Sequence, residues 1–234
     1  KVLDRFFQLW IMARQARERH SWYLELNAAR LKKGMANLPG LAREMALMLP
    51  LLLGGITFDV KIMQDEDKVA AHLPGYTPSH EALSTAARHL DSTPILKGED
   101  ASLEMAGLYC MGSFGSIAQM PYSDLDIWVC LENAAPGDEM FTALEKKLAA
   151  LTKWAMDEFD LEINFYPMNV AQVRDNKFGS ADEESSGSAQ AMLLKEEFYR
   201  TQTRLAGRAP LWWLTSAQGA PNEHAFMGIV ASLQ

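Results

Sequence analysis

Apolar positions change period several times along the chain, and those changes mark its elements. From Val2 to Lys33 there is neither proline nor glycine. Phe6, Trp10, Ala13 and Ala16 recur at three and four, the repeat of one helix face. Gly34 and Gly40 bracket a break around Pro39. Leu41–Leu53 predicts a second helix with Met45 and Met48 in a core stripe, closed by Gly54-Gly55. Ile56–Met63 alternates as a strand does, Glu66-Asp67-Lys68 reads as a surface turn, and Pro74-Gly75-Tyr76-Thr77-Pro78 as an irregular loop. Glu81–His89 predicts a helix with Ser79 at its N-cap. Asp91–Ala101 is a polar linker that carries Lys97.

The pattern then shortens. Leu108–Met111 and Leu125–Leu131 are apolar runs of strand length, separated by a turn-rich loop. Met140–Phe159 is amphipathic, with Phe141, Leu144, Leu148, Leu151, Trp154 and Ala155 at helical spacing. In Leu161–Pro167 the period returns to two: Leu161, Ile163 and Phe165 on one face, Glu162, Asn164 and Tyr166 on the other. A strand, a helix and a strand in this order place both strands in one sheet. Gly179–Gln190 is polar and predicts a mobile loop. Met192–Leu205 predicts a helix with Leu194, Phe198 and Leu205 inward, ended by Gly207, and Leu211–Leu214 a short strand. The expected organisation is α+β: a helical region over residues 1–100, a mixed sheet flanked by helices over 101–215, and an unassigned segment over 216–234.

Composition narrows the classes. The 234 residues suit one medium domain or two small ones, and 48% hydrophobic content builds a sizeable core. A formal charge of −8 and a pI near 5.2 argue against a nucleic-acid binder, which needs a Lys/Arg surplus on one face. No apolar run is long enough to span a membrane. The two cysteines, Cys110 and Cys130, sit within the apolar strands and read as buried, reduced thiols. With no leader pattern visible, a cytoplasmic protein is expected.

The chemistry concentrates between Gly112 and Leu131. Asp124 and Asp126, two apart at the start of a strand, point the same way. Like charges that close repel unless a cation lies between them, and oxygen ligands with open positions suit Mg²⁺. Gly112 permits a sharp bend, and Ser113 offers a hydroxyl and an amide at the start of an expected short helix, where phosphates bind. A phosphate cradle beside a carboxylate pair is the apparatus of phosphoryl or nucleotidyl transfer.

The spacing Gly112-Ser113, ten residues, then Asp124-Leu125-Asp126 resembles the signature of the DNA polymerase beta nucleotidyltransferase superfamily. Met111-Gly112-Ser113, Ser123–Cys130, Glu197–Thr201 and Arg204–Gly207 resemble more closely the catalytic domain of class I adenylate cyclases of the enterobacterial type. The likeness runs from Leu49 to Leu214. It departs after Ser113, where Phe114, Gly115 and Met120 stand in a loop that is serine-rich in the family.

The resemblance implies a polymerase beta-like fold and cyclisation of ATP to 3′,5′-cyclic AMP with release of pyrophosphate. Asp124 and Asp126, with Glu162 as a third acid, would hold two Mg²⁺ ions, or Mn²⁺ in their place. Gly112 and Ser113 would seat phosphates, and Lys97 would either reach them or remain solvated. Ser123, Trp128, Gly187 and Ser188 match positions near substrate; Trp128, facing the side of the aspartates but deeper, serves equally well as packing. Arg200 and Arg204 share a helix face and meet phosphate or pair with Glu196 and Glu197. A regulatory partner would act through a further C-terminal region. Two rivals stay open: transfer of AMP to an external hydroxyl, and a catalytically silent nucleotide-binding module.

Overall fold

A computed structural model describes residues 2–54, 56–57, 69, 71–90, 95–96, 103–175, 177, 188–210 and 213. The elements in chain order are α1 (Val2–Asn37), α2 (Gly40–Leu53), β1 (Ile56–Thr57), β2 (Ala71–His72), α3 (His80–Leu90), β3 (Ile95–Leu96), β4 (Leu103–Cys110), β5 (Leu125–Leu131), α4 (Glu139–Phe159), β6 (Ile163–Asn169), α5 (Val170–Arg174), α6 (Ser188–Thr201) and β7 (Thr203–Gly207). The chain divides into two units, residues 1–29 with 209–234, and residues 30–208.

In the smaller unit, the Tyr23 ring on α1 lies tilted against Trp213, 5.8 Å between centroids. Trp213 closes a turn by donating its N–H to the Pro210 carbonyl. On this stretch of α1, Arg14 pairs with Glu18 one turn on, and both are exposed.

The larger unit is built on a mixed sheet. β5 is apolar on both faces beyond Asp126, and such a strand belongs inside a sheet. It pairs antiparallel with β4 and parallel with β6. A parallel pair needs a long crossover, and α4 supplies it. The other edge of β4 is shared: β2 runs parallel beside Leu103 and Glu104, and β7 antiparallel beside Gly107–Cys110. The mixed α+β class and the helical N-terminal region are therefore as expected.

Two apolar clusters lie on opposite faces of this sheet. One joins Leu125, Ile127, Val129 and Leu131 to Met45, Met48 and Leu49 of α2 and to Phe141, Leu144, Leu148 and Leu151 of α4. The other holds Tyr109, Met111, Trp128, Cys130 and Met168, with Leu194 and Phe198 of α6 packed on it. Along β4, Leu103 and Met105 face the first cluster, as do Leu108 and Cys110. The parity changes because the pairing with β5 shifts between Met105 and Gly107; a bulge turns every later side chain to the other face.

Several expected boundaries move. The first helix runs past its expected end at Lys33 to Asn37, and the break falls at Leu38-Pro39, between Gly34 and Gly40 as expected. A Cβ at Gly34 would lie 2.5 Å from the Phe114 ring, so this glycine makes room for packing and does not end the helix. β4 begins at Leu103, five residues before the expected start. The helix expected over Met192–Leu205 stops at Thr201, and residues 203–207 form β7. There the free edge of β4 offers hydrogen bonds that outweigh helical spacing. Gly207, expected as a helix stop, is instead a strand residue opposite Gly107. Ser188, Ala189 and Gln190, expected in a loop, form the first turn of α6; the rest of that loop, like most of Ile56–Met63 and the segment from 214 on, lies outside the described residues. Ser79 is the predicted cap, its hydroxyl accepting the Ala82 N–H at 3.1 Å. Both cysteines are free and buried.

Candidate active site

Asp124 lies just before β5 and Asp126 is its second residue. In-register pairing of β5 with β6 sets Asp126 beside Asn164. The Asn164 amide donates from Nδ2 to Asp126 Oδ1 at 3.1 Å and to Asp124 Oδ2 at 3.3 Å, so one side chain ties the two acids together. The Tyr166 hydroxyl also donates to Asp126. The Asp126 carboxyl sits above the usual carboxylate range, first because it is partly buried and then because Asp124 adds like charge; the two donors pull the other way.

The glycine bend meets the same carboxylate. The Met111 N–H donates to the Asp126 carbonyl at 2.7 Å, which brings the end of β4 alongside β5. Gly112 then turns with φ +69°, and a Cβ there would lie 3.9 Å from Asp126 Oδ2. The short helix expected after Ser113 is instead a run of turns. Gly115, at φ +73°, interrupts helical geometry. The Gln119 side chain takes its N–H at 2.8 Å and donates to the Gly34 carbonyl at 3.0 Å. Ser123 is spent locally: its hydroxyl accepts the Met120 N–H at 3.0 Å and closes the turn that leads into Asp124.

Residues some ninety positions later brace this bend. Thr201 Oγ1 accepts the Gly112 N–H at 3.3 Å, and the Thr203 hydroxyl donates to the Phe114 carbonyl at 3.4 Å. Arg30, near the end of α1, donates to the Arg200 and Gln202 carbonyls. These close the C-terminus of α6, where a cation also suits the helix dipole.

The other predicted residues fall as follows. Glu162 precedes β6; its side chain is exposed, and its carbonyl accepts the Leu125 N–H at 3.0 Å. Among the described residues, no three His, Cys, Asp or Glu side chains gather closely enough to hold a metal ion on their own. The side chain seen against both aspartates is therefore the amide of Asn164. Trp128 is buried and stacks on Phe198, with 4.8 Å between centroids and 16° between planes. Ser113 is half-buried in the bend. Arg200 pairs with Glu196 and is exposed. Arg204 does not share its helix face, because it stands on β7 and donates to the Gly207 carbonyl. Ser188 opens α6, and Lys97 and Gly187 lie outside the described residues.

Asn164, Tyr166 and Thr201 were not singled out from the sequence. The alternation of β6 did place Asn164 and Tyr166 on the face of Glu162, so the face was visible and the stagger was not. Chemically, two close carboxylates beside a glycine bend form an oxygen-donor site open to a hard cation and an anionic ligand.

Residues 15–213 match the family described as Adenylate cyclase NT domain, and the chain belongs to that family. Similar proteins include the adenylate cyclase of Salmonella typhimurium, 31% identical over 195 residues, which is 80% of this chain and 22% of that protein. The adenylate cyclase of Haemophilus influenzae is 49% identical over 109 residues, 46% of this chain and 13% of that protein. The adenylate cyclase of Escherichia coli K12 is 36% identical over 143 residues, 58% and 16% respectively. The chain thus spans less than a quarter of the curated relatives it matches. No solved structure matches it. No helix among the described residues is long and apolar enough to cross a membrane.

Proposed function

We propose that this chain carries the nucleotide-cyclising site of an adenylate cyclase, taking ATP to 3′,5′-cyclic AMP and pyrophosphate on a polymerase beta-like nucleotidyltransferase scaffold. The observation that carries this is the approach of the Gly112 bend to Asp126, fixed by the Met111 N–H on the Asp126 carbonyl, inside the stretch that matches the cyclase family. The donor set fits Mg²⁺: hard carboxylate oxygens, one of them on an acid whose charge is disfavoured by burial and by its neighbour. Asp124 and Asp126 would hold two such ions, with Glu162 at the margin, and Mn²⁺ would serve in their place. When bound, the ions lower the pKa of the ribose 3′-hydroxyl and offset charge on the departing pyrophosphate.

The chain's own residues do the rest. Gly112 leaves the bend without a Cβ, so a phosphate could approach its backbone amides beside the cation that Asp126 would hold. Ser113 presents a hydroxyl and a backbone amide on the same turn. In the reaction the 3′-oxygen bonds to the α-phosphorus, the bond from that phosphorus to the bridging oxygen breaks, and the 3′-proton leaves to solvent. Fixing the triphosphate in line supplies much of the acceleration. Trp128, buried and stacked on Phe198 of α6, is assigned to packing on the face of the aspartates.

Incubating the full-length protein with α-labelled ATP and Mg²⁺ and resolving the products tests this. Cyclic AMP supports the proposal. Label on an external hydroxyl would move the site to AMP transfer, and no Mg²⁺-dependent turnover would leave a silent nucleotide-binding module. Asp126→Asn should abolish the activity in a folded protein.

A further inference from the structure

We propose that Asn164 is the third side chain of the cation site, a switching ligand. Its amide N–H groups bind the two aspartates together when no cation is present, and its Oδ1 turns to the cation when one arrives. This rests on taking Asp124 and Asp126 as cation ligands.

The geometry is specific. Asn164 is the register partner of Asp126, so the sheet's own hydrogen bonds fix its Cα beside that acid. One nitrogen reaches both carboxylates, at 3.1 and 3.3 Å. That is where a bridging cation would sit with respect to the pair, and a partly positive N–H edge is the neutral substitute for it. An asparagine side chain carries two N–H donors on one atom and a carbonyl with two lone pairs on the other. Half a turn about Cβ–Cγ exchanges them without moving the backbone. A cation against Asp124 and Asp126 would repel the N–H edge and attract the carbonyl, so occupancy itself drives the exchange.

Charge favours an amide here over a third carboxylate. Asp124 and Asp126 already set two carboxylates against one amide nitrogen. A third anion in register would add to their repulsion wherever no cation offsets it. The amide offsets that repulsion through its N–H groups and still has an oxygen to offer a cation. Glu162, two residues earlier, lies exposed ahead of the strand, and no three acids gather among the described residues.

The experiment is a titration of the full-length protein with Mn²⁺ alone, followed by electron paramagnetic resonance, with thermal unfolding measured in parallel. Asn164→Leu, close in volume and with no oxygen, should weaken Mn²⁺ binding about tenfold, as loss of a metal-site side chain does. Asn164→Asp should tighten it about tenfold. Asn164→Asp should also melt lower than the parent without metal and gain more from Mn²⁺. A purely structural asparagine would lower the melting temperature in both variants and leave Mn²⁺ affinity alone. Unchanged affinity in both, with Asp126→Asn losing Mn²⁺, overturns the role of Asn164 and spares the cyclase proposal. Absence of Mn²⁺ binding in the parent protein overturns both. Should Asn164→Leu fail to fold, equal or weaker binding by Asn164→Asp overturns it equally.

Discussion

The Phe114 ring lies against Gly34 so closely that a methyl at position 34 would come 2.5 Å from the ring's far carbon. This contact ties the last turns of α1 to the bend that carries Gly112 and Ser113. Alanine at position 34 would gain about 1 kcal/mol of helix propensity and lose more by displacing a buried ring. Gly34→Ala should destabilise by about 1–3 kcal/mol net and raise KM for ATP more than it lowers kcat. Gly115→Ala should be worse, since its Cβ would meet the Arg30 carbonyl at 2.5 Å and φ is +73°. A main-chain oxygen cannot step aside as a ring can. Thermal unfolding and steady-state kinetics of the two variants check the order.

Asp126 gives a stability prediction with a definite sign. Its pKa is raised in the fold, so its favourable contribution is complete below the unfolded value of about 3.9 and is lost as pH rises through the folded one. At neutral pH the ionised side chain is a cost when no cation is bound. Asp126→Asn should therefore melt higher than the parent at pH 7 without metal, by no more than about 2 °C because a half-exposed charge is screened. The gain should vanish near pH 3.5, and Mg²⁺ should stabilise only the parent. Scanning calorimetry at the two pH values, with and without Mg²⁺, decides it.

Lys147 is buried in the first cluster's helix, α4, and donates from Nζ to the Val69 carbonyl at 2.9 Å. Burial lowers its pKa to about 8. Between about pH 8 and the unfolded value of about 10.4, the unfolded chain holds a proton that the folded one has released, so this group makes stability rise with pH. Tyr76 opposes it at higher pH, its hydroxyl pushed up to about 12 by burial. Lys147→Met should abolish the rise between pH 7.5 and 9.5, a difference on the order of 2 kcal/mol. Urea titrations at both pH values test this.

The stack of Trp128 on Phe198 predicts coupling. Trp128→Ala should cost about 3–4 kcal/mol as a buried aromatic truncation. The double variant with Phe198→Ala should cost less than the two singles added, by about 1 kcal/mol. Trp128→Phe should keep KM for ATP near the parent's; a large rise in KM with unchanged stability would instead assign the indole to substrate.

Strong local patterns were readable in the sequence, and patterns settled by distant partners were not. β5 was placed with its observed bounds because an apolar run between two aspartates and a turn admits little else. The helix α4 and the Ser79 cap followed from spacing and local hydrogen bonding. β7 was hidden: Leu205 continues the spacing of Leu194 and Phe198, and only the open edge of β4 makes residues 203–207 extended. Arg204 moved away from Arg200 for the same reason. The place of Asn164 is not legible locally, because alternation assigns a face but not a height along the strand, and height comes from the register of β6 on β5. The bend itself was visible in Gly112; its braces, Thr201 and Thr203, are too far along the chain for any local pattern to announce.

That separation has a consequence during synthesis. The acids and the bend leave the ribosome some eighty residues before the threonines that steady them, so a nascent chain halted at Leu131 holds both aspartates and the bend without Asn164 and without their fastening. Such an intermediate would be open to proteolysis at the turns following Met111, and resistance to cleavage there would arise only once β7 had been made.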